Sequence, residues 1–197
     1  MREFVKLAAH CVAWVAVSPS VWSWQLRSRI LGPDRAMEGS SQFWALVPGL
    51  VGQYLRRAFL CRTLKSCARS ATIEFGTLLS SASATIGKRA YIGPRCHLGW
   101  AIIGPDALIA AGVHVPSGAH THGISDPSLT IRNQATTKTP VTIGAGAWIG
   151  SGAVIMADVG SGAVVGAGAV VTKPLPAGAI GVGVPARPVR FRGAPAD

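Results

Sequence analysis

From residue 86 onward the chain repeats in steps of six. Aliphatic side chains fall at Ile86, Ile92 and Leu98, and again at Ile103, Ile109 and Val115. After a gap they return at Ile143, Ile149 and Ile155, then at Val159, Val165 and Val171. Each step inside a group is six, while the joins are five residues (Leu98 to Ile103) and four (Ile155 to Val159). Glycine follows the aliphatic residue at Ile86, Ile92, Ile103, Ile143, Ile149 and Val165. A small residue recurs four positions on, as at Ala90, Ala107, Ala147, Ala153, Ala163 and Ala169.

A period of six matches neither the 3.6 of an α-helix nor the alternation of a half-buried strand. It predicts a solenoid with three short flat faces per turn and one hexapeptide per face. The aliphatic side chain points into a narrow prism, and Gly or Ala occupies the crowded corners. One coil cannot bury its own aliphatics, so coils must stack around a shared core. The twelve rungs above make about four turns.

The first seventy residues lack this period. Segment 4–24 is apolar but interrupted by Lys6, His10 and Pro19. A second apolar stretch, Phe43 to Leu60, contains Pro48 and Gly49 and runs into the basic cluster Arg56, Arg57, Arg62, Lys65 and Arg69. Neither offers the roughly 20 uninterrupted apolar residues of a spanning helix, and the first lacks a small-x-small cleavage site. Trp14, Trp22, Trp24, Trp44 and Tyr54, flanked by arginines, suit helices lying in a lipid headgroup layer. The same residues suit core helices packed on the rest of the protein or on a partner subunit, and both readings stand. The chain therefore divides into a helical, apolar and basic extension (residues 1–70) and an all-β solenoid domain (71–193).

Composition narrows the function classes. Hydrophobic residues make up 49% and charged residues 14%, which excludes a disordered chain. The net charge of +11 is uneven: residues 1–70 hold ten Lys/Arg against three acids, and residues 71–197 nine against five. A basic excess points to nucleic acid, an anionic membrane or phosphorylated ligands. No nucleic-acid fold signature and no basic stripe interleaved with aromatics is present, so no nucleic-acid partner is expected. Cys11, Cys61, Cys67 and Cys96 form no CxxC pair, as expected for free thiols in a reducing compartment.

The repeat stops between Val115 and Val141, a loop over about residues 116–140 that contains His120 and His122, with His114 just upstream. A long loop thrown from a solenoid gains nothing for the core, so it usually has a job. Imidazole has a pKa near neutrality, so a loop histidine could take a hydroxyl proton and return it to a departing group. Three nearby histidines also invite a zinc reading, but their spacings of 17, six and two from His97 fit a metal set poorly, and no metal ligand is assigned.

The pattern resembles the hexapeptide-repeat acyltransferases, which are left-handed parallel β-helices and an exception to right-handed crossovers. The loop, followed by Asp126-Pro127 and Val141-Thr142-Ile143-Gly144, is similar to the sugar and maltose O-acetyltransferase branch. By that resemblance the general base is His120, with His122 as competitor. His122 and Trp148 are assigned to the acceptor. The run over about residues 148–190 resembles the family's CoA-binding segment: Trp148-Ile149-Gly150-Ser151, Gly166-Ala167-Gly168, Val171-Thr172-Lys173 and Gly183-Val184-Pro185-Ala186-Arg187 with Arg190. The resemblance places Ser151, Ala167, Thr172, Lys173, Arg187 and Arg190 on the cofactor, with the cations on its phosphates.

Two departures stand out. The four-residue step at Ile155–Val159 is expected to disturb the register of Ala167 against Ser151. The family's sugar branch has an asparagine where this chain has Cys96-His97-Leu98-Gly99-Trp100, which puts an ordinary galactoside or maltose acceptor in doubt.

The implied function is acetyl transfer from acetyl-CoA to a hydroxyl of a sugar or glycan precursor, in a homotrimer with sites between subunits. The location implied is cytoplasmic, at the inner face of the membrane, with peripheral contact through residues 1–60. The alternatives are a non-catalytic β-helix assembly module and a zinc carbonic-anhydrase-like enzyme.

Overall fold

The computed structural model describes residues 2–193. Four helices open the chain: α1 (Arg2–Ala16), α2 (Ser18–Leu31), α3 (Pro33–Ala45) and α4 (Gly49–Thr63). Proline lies in the first turn of α2 and α3, where its missing N–H costs no helical bond.

Six coils follow. The first is β1 (Ser66–Cys67), β2 (Thr72–Ile73) and β3 (Leu78–Leu79), and the second is β4 (Thr85–Ile86), β5 (Tyr91–Ile92) and β6 (His97–Leu98). The third is β7 (Ala101–Ile103), β8 (Leu108–Ile109) and β9 (His114–Val115); the fourth is β10 (Val141–Ile143), β11 (Trp148–Ile149) and β12 (Val154–Ile155). In the fifth a single bridge at Val159 precedes β13 (Val164–Val165) and β14 (Val170–Val171). In the sixth a bridge at Leu175 precedes β15 (Ala179–Val182) and the returning β16 (Arg187–Phe191).

Equivalent strands stack into three sheets. Face A is β1-β4-β7-β10, face B is β2-β5-β8-β11-β13-β15-β16, and face C is β3-β6-β9-β12-β14. All pairings are parallel except β15 with β16. In the two-residue rungs from β2 onward the second residue points inward and is buried, as with Ile73, Ile92, Ile109 and Ile149 on face B.

The solenoid has six coils rather than the four expected. The extra coils keep the period while hiding its usual residues. In the first, the inward column is Cys67, Ile73 and Leu79, with no Ile-Gly pair. In the sixth, the inward position on face B is Gly181, and the Leu175 side chain fills its place: a Cβ at Gly181 would lie 2.8 Å from Leu175 Cδ1.

Inward residues on faces A, B and C of one coil are always six apart. Every irregular step falls at the corner from C to A: Leu79 to Ile86, Leu98 to Ile103, Val115 to Ile143, Ile155 to Val159 and Val171 to Leu175. The ladder then re-enters register on face A, where Ile86 pairs Ile103, Ile103 pairs Ile143 and Ile143 pairs Val159. The four-residue step therefore does not shift Ala167 against Ser151. Ile149 still pairs Val165, and Gly168 N–H donates to Ser151 O at 2.8 Å. At the regular corners the coils approach closely: a Cβ on Gly150 would sit 2.4 Å from Ala167 N, so glycine there is required by space.

The helices close one end of the prism, with α3 and α4 packed on the first coil. Buried Arg56 of α4 donates to Ile73 O (3.0 Å), Trp44 O (3.2 Å) and Val47 O (2.6 Å). Ser41 of α3 donates to Leu79 O and accepts from Leu79 N–H. All four cysteines are free thiols.

The 116–140 loop is tied at its base and its tip region. Thr139 N–H donates to Ser117 O, and Gln134 exchanges hydrogen bonds with the Asp126 backbone. Lys138 Nζ reaches Asp34 of α3 at 2.9 Å, where Asp34 also accepts from Ala82 N–H and Ser81 Oγ. Burial pushes the Asp34 carboxyl up, but the Lys138, Ala82 and Ser81 hydrogen bonds outweigh it and hold the carboxyl below its ordinary value.

Arg56→Ala is expected to cost about 2–4 kcal/mol, because three buried carbonyls lose a charged donor. A thermal melt of the purified variant measures this, and Arg56→Lys should rescue little because an ammonium cannot span the same fork. Because the Asp34 pKa is depressed by folding, its stabilisation is present above the unfolded value of about 3.9 and is lost as pH falls through the lower folded value. Protection of the hydrogen-bonded loop amides against exchange, taken relative to the intrinsic rate at each pH, should therefore fall below about pH 4. Asp34→Asn should show the reduced protection already at pH 7.

Candidate functional site

Face C carries the site because its outward positions line up and the corner beside it is where the loop leaves. Leu78, His97, His114 and Val154 occupy the same outward position on successive coils. Two imidazoles thus stand one above the other, their rings 5.8 Å apart between centroids and tilted by 65°, edge to face. Burial, and then the neighbouring His114, push the His97 imidazole below its ordinary pKa, against a smaller upward pull from Glu38. His97 is therefore neutral at pH 7.

A cavity of about 520 Å³ opens in front of these rings. Its floor is His97, His114 and Val154, its corner Ser80, Gly99 and Ser117, and its walls are Glu38 of α3 and Thr121, His122 and Lys138 of the loop. The corner is shaped by a close fit: Trp100 N–H donates to Ser117 Oγ at 3.0 Å, and a Cβ on Gly99 would meet that oxygen at 2.6 Å. The volume is in the usual range for a small-molecule site. Its surface can accept and donate hydrogen bonds, and it offers the neutral His97 imidazole as a proton acceptor. Among the described residues no group of three or more His, Cys, Asp or Glu side chains comes together as a metal site.

The residues expected from sequence fall in three places. His122 lines the cavity. His120 is exposed on the same loop and is not among the lining residues. Ser151 and Ala167 are exposed on the corner between faces B and C, one coil apart, while Thr172 and Lys173 are exposed on the corner between C and A above the loop. These two corners flank face C on its upper coils. The Gly183–Ala186 segment crosses its end, with Val170 N–H donating to Gly183 O and Ala186 N–H to Val170 O. Arg187 and Arg190 follow on β16, exposed, opposite Val182 and Ile180. Trp148 is not brought to the cavity within this chain. It projects from face B, half exposed, in a column with Tyr91 and Leu108.

His97 and His114 line the cavity, although in the sequence they stood out as candidate metal ligands, His97 also within the stretch that replaces the sugar branch's asparagine. Their signal was present: each directly precedes an inward aliphatic, Leu98 or Val115, which places both on the outer surface of the same face. Glu38 carried no such signal, because it reaches the cavity through the packing of α3 on β3.

Residues 83–117 and 140–173 match the family model described as bacterial transferase hexapeptide (six repeats). No curated protein matches the chain in sequence. Among solved structures, a galactoside acetyltransferase in complex with coenzyme A is 25% identical, with 80% of each chain covered and a TM-score of 0.66. A hexapeptide-repeat-containing acetyltransferase from Vibrio cholerae is 18% identical over 80% of this chain and 92% of that one, with a TM-score of 0.60. A mutant of AntD, an N-acyltransferase from Bacillus cereus in complex with dTDP-4-amino-4,6-dideoxyglucose and coenzyme A, is 24% identical over 66% of this chain and 74% of that one, with a TM-score of 0.57. In its repeats and in its fold, a left-handed parallel β-helix, the chain matches the hexapeptide-repeat acyltransferase family.

Proposed function

We propose that this protein transfers an acetyl group from acetyl-CoA to a hydroxyl of a sugar or glycan precursor. The observation that carries the reading is the layout of one flank of the solenoid. The polar, imidazole-lined cavity occupies face C on the second to fourth coils, and the Ser151–Ala167 and Thr172–Lys173 corners border the same face immediately above. A thioester laid along the upper coils would present its acyl end toward the cavity. The small corner residues leave room for a pantetheine arm, and exposed Lys173, Arg187 and Arg190 are free to meet its phosphates. The likeness to a galactoside acetyltransferase supports a sugar acceptor.

In the reaction the acceptor oxygen bonds to the acyl carbon as the carbon–sulfur bond breaks. The hydroxyl proton passes to an imidazole and from there to the departing thiolate. His120 of the loop is assigned as that base by the family pattern, and Ser151 as a donor to the developing oxyanion, a role that can be worth about 3 kcal/mol. His97, His114, His122 and Glu38 hold the acceptor. An exposed His120 is consistent with a homotrimer in which it faces CoA bound along a neighbouring protomer.

A thermal-shift titration with acetyl-CoA tests the donor site: near 100 times Kd it should add about 2.7 kcal/mol of stability. The shift should weaken in Arg187→Ala and in Lys173→Ala. His120→Ala should keep the shift but lose about 10²–10⁴-fold in kcat; if His122→Ala shows that loss instead, the base is His122. Co-assembly of His120→Ala with Arg187→Ala, at acetyl-CoA too dilute for the second variant alone, should restore part of the activity, and no recovery would place the whole site within one protomer.

A further inference from the structure

The helical cap shows an apolar surface that neither the fold nor the acyl-transfer site uses. α1 and α2 are almost one helix, because Val17 between them keeps right-handed helical backbone (φ −82°, ψ −7°). One face of this pair, with Ala13, Val17 and Val21, is buried on the rest of the cap. The opposite face carries Val12, Val15, Pro19, Trp22, Leu26 and Ile30, spaced three or four residues apart, so they form one continuous ridge. The large apolar side chains of that ridge are between 61% and 73% exposed.

The ridge is widened by the α3–α4 corner. Val12 shares a shallow apolar depression with Leu50 and Val51, and Pro19 shares another with Phe43. Phe43, Leu46, Leu50 and Val51 are themselves more than 60% exposed. Contiguous exposed apolar area of this kind marks a docking surface. Its charge selects the partner. Residues 4–33 and 39–73 contain no Asp or Glu, while Arg29 lies exposed beside Ile30 and the first seventy residues carry ten Lys/Arg against three acids. The other face of the pair is packed on α3 and α4, so a lipid contact here lies in the interface plane; among the described residues no helix is long and apolar enough to cross a membrane. The ridge from Val12 to Ile30 is about 27 Å long at 1.5 Å per residue, flat along a helix, with a tryptophan at its middle.

We propose that this ridge, with the α3–α4 corner, docks the protein on an anionic lipid bilayer. Trp22, Leu26 and Ile30 enter the headgroup–acyl boundary, and Arg29 meets the lipid phosphates. Two exclusions sharpen the choice of partner. An acidic protein partner would match the cations but not the breadth of bare aliphatic surface, and the same ridge of a second copy would offer Arg29 no anionic group, because residues 4–33 hold no acid.

Cosedimentation of the full-length protein with sucrose-loaded vesicles tests the proposal, using phosphatidylcholine alone and phosphatidylcholine with phosphatidylglycerol. Binding is expected to the anionic vesicles, weakened at least about tenfold by Trp22→Ser/Leu26→Ser/Ile30→Ser and by high salt. The triple variant should keep the wild-type melting temperature, because all three side chains are exposed. Absence of vesicle binding, or binding the triple variant leaves unchanged, would overturn the proposal. Light scattering showing that the variant falls to a smaller oligomer would overturn it too, by assigning the face to copies of the chain. None of these readouts depends on the acyl-transfer reading.

Discussion

The inward column of aliphatic side chains stacked coil on coil governs the rest of this molecule. Each rung is two or three residues long and could not persist alone. Its backbone is completed only by the rungs above and below, and its buried side chain only by their side chains. Such stacking tolerates no change of register on a flat face, since a one-residue slip would turn the aliphatic outward. It does tolerate extra or missing residues at a corner that no ladder crosses. The chain gathers all its irregular steps at the corner between faces C and A, so the long loop, the shortened turns and the cavity end up side by side.

A stack of coils has two raw ends, and the chain covers them differently. At the far end β16 folds back on β15 as an antiparallel strand. At the near end Arg56 and Ser41 satisfy carbonyls of the first coil from within the helical cap. A buried guanidinium that serves three carbonyls on both sides of the junction makes cap and solenoid one folding unit. The same cap supplies Glu38 to the cavity wall and Asp34 to the loop anchor. It is therefore part of the site as well as a lid on the core, and its remaining outer face is left to meet something else.

The cavity differs in character from the corners above it, which we propose hold the donor. Those corners are built of repeated small residues whose positions follow from the coil, with exposed cations added at the end. The cavity is built from three unrelated pieces: an outward imidazole column, an extruded loop and a helix from the cap. Two imidazoles edge to face, that of His97 held neutral by burial, make a floor that can accept hydrogen bonds from hydroxyls. The flanking carboxylate of Glu38 adds to that preference.

The sequence alone determined the rungs. Ile-Gly pairs six apart require a solenoid because no other regular structure buries every sixth residue, and the loop with its histidines was visible as the one long break. The first and last coils escaped notice because Cys67 and Gly181 stand where an aliphatic is expected, the latter made good by a side chain from Leu175. His97 and His114 were readable as outward residues of one face, but their contact across 17 residues depends on the length of the intervening corner. Tertiary structure alone decided what lies between elements far apart in sequence. Glu38 reaches the cavity through helix packing and Lys138 through the loop that Asp34 anchors, and Trp148 turned to face B while the loop left from the far edge of C. The same holds for the cap. An apolar helix has one periodicity whether its face is buried or bare, so only the packing of α1 and α2 on α3 and α4 could show which stripe, Val17 and Val21 or Trp22 and Leu26, was left uncovered.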